Sequence, residues 1–130
     1  MINLFQTAAE HDVSWLAIRQ PGVIRLLESE LMSPDGDAFA AGLELACRVL
    51  GGRTPLGELR LDHGSLAAGM AAVRSGRCDR AMVRSLRDQI EELPVVLMRE
   101  EQDAVATVIA AIIWAVLDAS VRDLDDQLVA

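Results

Sequence analysis

Residues 95–119 read VVLMREEQDAVATVIAAIIWAVLDA, and this stretch decides the fold. Within it Met98, Gln102, Val105, Ile109, Ile112, Val116 and Ala119 recur at alternating spacings of four and three, the repeat that keeps one side of a helix apolar. From Ala104 to Leu117 only Thr107 interrupts the apolar run, so the second half is hydrophobic on nearly every side. A helix of that kind is normally wrapped by the rest of its domain. A membrane span needs about 20 apolar residues, more than this run supplies. We therefore expect a buried spine over about residues 95–119 inside an all-α bundle of six or seven helices. The other use of the same seam is a homodimer interface through Val105, Ile109, Ile112 and Val116.

Working outward, the periodicity stays helical and no run of strict alternation argues for a strand. Pro94 closes the preceding helix, which starts near Asp79 and carries Met82, Val83, Leu86, Ile90 and Leu93 on one stripe. Before it, Asp62 to Arg74 forms a helix rich in small residues, Gly64, Ala67, Ala68, Gly69, Ala71 and Ala72, whose surface permits close helix approach. Ser75-Gly76 ends it. A helix that Ser33-Pro34 would start bears Phe39, Leu43, Ala46 and Leu50 and closes at Gly51-Gly52. Residues 51–62 are the main irregular connection. Earlier still, Val23, Ile24, Leu27 and Leu31 share one face of a helix, and the capping box Thr7-Ala8-Ala9-Glu10 opens another that ends near Gln20-Pro21-Gly22. Ser120-Val121-Arg122-Asp123 reads as the cap of a short C-terminal helix.

The chain has 130 residues and a net charge of −8, with 52% hydrophobic but only 3% aromatic residues. That length suits one domain over residues 1–130 with its own core. All twelve basic residues are arginine, which removes Walker-type phosphate loops, pyridoxal Schiff bases and Ser-Lys dyads. With no tyrosine, and only Phe5, Trp15, Phe39 and Trp114 as aromatics, no stacking platform for single-stranded nucleic acid can be built, and the net charge opposes any polyanion. The N-terminus lacks the basic and apolar regions of a secretory signal, so we expect a cytoplasmic protein that engages neither nucleic acid nor membrane. In that compartment Cys47 and Cys78, thirty-one residues apart, should be free thiols.

The charge is unevenly placed. Residues 1–87 hold ten acids and ten arginines, so the whole excess lies in residues 88–130. Arg74, Arg77, Arg80, Arg84 and Arg87 form an island opposed only by Asp79. Arg80, Arg84 and Arg87 share one helix face, in the half of the helix where the macrodipole prefers anions, while Glu91 and Glu92 occupy the end that prefers cations. A local rule broken at both ends of one helix points to a compensating partner, inside the chain or outside. Folding of the acids of residues 100–126 onto the arginines would be the internal solution; a carboxylate or phosphate group on a ligand would be the external one.

No catalytic constellation appears. His11 and His63 each adjoin an aspartate, and sequence neighbours do not face each other on a helix. With Cys47 and Cys78 they lack the short spacings of a zinc site. Cys78, beside Arg77 at a helix N-terminus, is expected to have a lowered thiol pKa. The pairs Glu91-Glu92, Glu100-Glu101 and Asp125-Asp126 lack the Glu-x-x-His motifs of a di-metal bundle. The expectation is thus a non-enzymatic module without metal or cofactor that binds another protein, of which a small acidic inhibitor of immunity or antitoxin kind is one concrete form. Glu91, Glu92, Glu100, Glu101 and Asp103 would meet a basic partner, and Arg80, Arg84 and Arg87 an acidic one. The alternative is a small-ligand or regulatory domain with an apolar pocket edged by the arginines. A cavity of a few hundred Å³ reaching them favours that alternative, and a flat charged face favours the protein partner.

Overall fold

The computed structural model describes residue 16 and residues 18–31, 36–51 and 61–129, the last ten of these as backbone only. Among the described residues there are five helices and no strand: α1 (Pro21–Leu31), α2 (Asp37–Gly51), α3 (His63–Arg74), α4 (Arg80–Glu91) and α5 (Arg99–Val129). Leu16, Ile18 and Arg19 are also helical. The capping box at Thr7 and the start signal Ser33-Pro34 lie outside the described residues.

Local chemistry sets most boundaries. Pro21 opens α1, where a missing N–H costs nothing, and the Gln20 carbonyl accepts the amides of Val23 and Ile24 at 3.1 and 3.4 Å. Gly36, with φ of +72°, turns the chain into α2. At the start of α3 the Asp62 carboxylate accepts the Ser65 amide at 2.7 Å. Its end is a complete Schellman motif: Gly76 takes φ of +75°, its amide donates to the Val73 carbonyl, and the Arg77 amide reaches back to Ala72 at 2.9 Å. Asp79 caps α4 by accepting the Ala81 amide at 2.9 Å.

Helix α5 departs from expectation at both ends. It begins at Arg99 rather than Val95, because Leu93 and Leu97 both turn into the core and hold residues 92–98 as a connection. It also runs unbroken to Val129, so Ser120 opens no separate helix. Residues 99–129 contain neither glycine nor proline, and a serine hydroxyl is tolerated inside a helix. The bundle of six or seven helices is accordingly five over the described residues, with Leu16, Ile18 and Arg19 helical besides.

All four other helices pack on α5. Val105, Ile109 and Ile112 are fully buried and Val116 nearly so. These four residues are therefore covered by the chain's own helices. The portion Arg99–Ala119 has the length and apolarity of a membrane crossing, but half of that stretch is buried under neighbouring helices, as a core helix is. The closest approach is that of α3, where Gly69 sits directly on the Ala111 backbone. On α2 the buried face is Ala38, Ala41, Leu45, Ala46 and Leu50, while Phe39 and Leu43 lie half-covered at its edge. Gln20 is the buried polar residue of this core, and its Oε1 accepts the Leu61 amide at 3.0 Å, which ties the end of the long connection to the start of α1.

Candidate functional site

The island of arginines resolves into separate roles. Arg74 is drawn away by Glu30 of α1, at 3.1 Å, and Arg77 Nε donates to the Ser75 hydroxyl at 2.9 Å. Arg87 reaches across to α5, where its guanidinium meets Asp103 Oδ1 at 2.6 Å with both side chains about half exposed. Acid folding back onto the arginine face is thus real for one pair. Among the described side chains the i,i+4 pairs Arg84 to Asp88 and Arg87 to Glu91 do not form; base before acid is the poorer order on a helix. Arg80 and Arg84 are exposed and have no acidic partner among the described side chains.

These arginines do not stand on a flat face. Arg80, Arg84 and Arg87 edge a hollow of about 330 Å³ whose remaining walls are Val73 and Gly76 from the end of α3, Cys78, Val83 of α4 and Thr107 of α5. The Schellman turn at Gly76 and the cap at Asp79 place α3 and α4 so that two valines form the apolar wall and the guanidinium groups the rim. Thr107 donates its hydroxyl to the Asp103 carbonyl at 2.8 Å, which anchors the residue that holds Arg87. Sequence reasoning singled out the arginines but missed Val73, Val83 and Thr107. The two valines carried a readable signal, as apolar residues flanking one tight turn; Thr107 carried none, because its place depends on how α5 is rotated.

Cys78 corrects the expected direction. Burial in the hollow pushes its thiol above the ordinary value, and the nearby Arg77 charge offsets this only in part. Cys47 is buried and, like Cys78, forms no disulfide among the described residues. His11 lies outside the described residues, His63 is exposed on α3, and among the described residues no three metal-ligating side chains come together.

The predicted acids divide similarly. Glu91, Glu92 and Glu100 are exposed, whereas Glu101 turns back to accept the Met98 amide at 3.2 Å and Asp103 is engaged with Arg87. A larger groove of about 660 Å³ runs between α1 and α3 over Leu26, Leu66 and Met70. Its two arginines are Arg25 and Arg74, and Glu30 neutralises Arg74, so among the described side chains one unmatched cation stands there against two in the arginine hollow. Set against protein-family models, curated proteins and solved structures, the chain matches none of them.

Proposed function

We propose that the protein is a non-enzymatic binding or regulatory domain for a small anionic molecule with an apolar body, held in the hollow between α3, α4 and α5. The observation that carries this reading is the combination of an apolar wall, Val73 and Val83, with a rim of three arginines of which two are unmatched among the described side chains. A hollow of 330 Å³ corresponds to roughly eleven waters at about 30 Å³ each, room for a short acyl chain. Guanidinium groups suit its head, since their forked donors bind carboxylate or phosphate oxygens in pairs. The apolar body would lie along the valines, where displaced water adds to affinity.

Cys78 supplies a reporter inside the hollow, while Cys47 is buried elsewhere in the core. Octanoate titrated into the protein should slow alkylation of Cys78 in a saturable way, and octanol, with the same chain and no charge, should protect far less. Arg80→Gln/Arg84→Gln should weaken octanoate at least tenfold without lowering the melting temperature, because neither side chain contacts an acid among the described residues and both stand at the helix end that disfavours cations. Equal protection of wild type and double variant would refute the reading.

A further inference from the structure

We propose that the connection between α4 and α5, residues 92–98, is a docking tip for a basic protein partner with an apolar socket. Val96 is 94% exposed and Met98 71%, two of the four large apolar side chains that stand in solvent among the described residues. They are held there by structure. Leu93 and Leu97 plug into the core on either side of Val96, Glu101 Oε1 accepts the Met98 amide at 3.2 Å, and Gln102 Nε2 donates to the Leu97 carbonyl at 3.2 Å. Two apolar groups on a pinned connection are pre-organised anchors, which lose little freedom on binding.

The charge around them selects the partner. Glu91 and Glu92 close α4, exposed and with no cation beside them among the described side chains. They sit at the helix end whose free carbonyls already carry partial negative charge, so each raises the cost of the other. Glu100, also exposed, follows on the far side of Met98 beside the exposed Arg99, so the tip carries three exposed carboxylates against one cation. An arginine or lysine from a partner would answer both the carboxylates and the helix terminus, while Val96 and Met98 fill a socket between such residues. An anionic bilayer or a nucleic acid would be repelled by the same groups. A second copy of the chain would present a like-charged tip, and could fit only through its arginine hollow. This surface is where the small acidic inhibitor expected from the sequence would act, and it shares no residue with the hollow.

The test uses the full chain and, as probe, an amphipathic helical peptide built from lysine and leucine, with an all-lysine peptide of equal charge beside it. The leucine-bearing peptide should bind more tightly and lose affinity as salt rises. Val96→Ser/Met98→Ser should erase the difference between the peptides. Glu91→Gln/Glu92→Gln should weaken both at least tenfold and raise the melting temperature, since it relieves a repulsion that the free protein bears. A distant pair, Glu28→Gln/Asp37→Asn, should change neither affinity. Three results would each overturn the proposal: equal loss in the distant pair, which means general attraction to a polyanion; adsorption to uncharged phosphatidylcholine vesicles abolished by Val96→Ser/Met98→Ser; or concentration-dependent self-association abolished by Arg80→Gln/Arg84→Gln.

Discussion

Gly69→Ala adds one methyl group to α3, and its effect can be worked out from the packing. In an unobstructed helix the change is favourable by about 1 kcal/mol, because glycine loses more backbone freedom on folding. At position 69 the new Cβ would run into the Ala111 carbonyl oxygen and lie 3.1 Å from the carbonyl carbon behind it. The obstacle is backbone, so no side chain can rotate away. Nor can α5 retreat: Val108, Ile109, Ala110 and Ile112, around the contact, are all buried to within 1% and held by other helices. Overpacking of this kind costs typically about 1–3 kcal/mol, and a rigid target puts it at the upper end. The net expectation is a loss of about 1–2 kcal/mol, or a fall in melting temperature of roughly 3–8 °C for a chain of this size. Gly64→Ala in the same helix is the control, since its nearest neighbour is Asp62 Oδ1 at 3.4 Å, an ordinary contact. It should be neutral or gain up to about 1 kcal/mol. Urea unfolding followed by circular dichroism at 222 nm measures both. Two chemically identical substitutions in one helix must then differ, only Gly69→Ala losing stability; if Gly69→Ala is as stable as wild type, the close approach of α3 to α5 is wrong.

Three further outcomes follow from single contacts. Gln20→Leu should destabilise by about 1–3 kcal/mol, because it orphans the buried Leu61 amide that Oε1 accepts; unchanged urea midpoints would show that the amide finds another acceptor. A double-mutant cycle on Arg87 and Asp103 should give a coupling of only about 0.2–1 kcal/mol that shrinks in high salt, since both side chains are half exposed, and a salt-independent coupling would contradict that. Alkylation of Cys78 should lag behind a free cysteine at neutral pH and catch up only on the alkaline side, because burial raises the thiol and the thiolate is the reacting form; Arg77→Gln, which removes the offsetting charge, should slow it further at a fixed neutral pH.

What could be read in advance was what depends on neighbours in sequence. Asp62, Asp79 and the Ser75-Gly76 turn act on amides and carbonyls within five residues of themselves, so both limits of α3 and the start of α4 were legible, whereas α4 ends at Glu91, short of the Leu93 that Pro94 suggested. Ser120-Val121-Arg122-Asp123 misled because a capping box is a start signal only where the chain also has a reason to stop, and nothing between Arg99 and Val129 supplies one. The sign of the Cys78 shift was misread for a different reason: the charge of Arg77 is visible in sequence, but the partial burial of the thiol that outweighs it depends on the folded chain.

The arginine face shows what distance in sequence conceals and why that matters for binding. Five arginines within fourteen residues look like one island. Glu30, forty-four positions before Arg74, and Asp103, sixteen after Arg87, each withdraw one of them. Arg77, bonded to the neutral Ser75 hydroxyl, keeps its charge but does not line the hollow, which leaves Arg80 and Arg84 as the hollow's cations without an acid among the described side chains. An incoming anion therefore meets two free guanidinium groups and a third already held by a carboxylate. If the anion recruits Arg87 it must displace Asp103, so Asp103→Asn should strengthen octanoate binding several-fold while Arg80→Gln/Arg84→Gln weakens it. Should Asp103→Asn leave the affinity unchanged, Arg87 belongs to the scaffold of the hollow, and recognition rests on the other two.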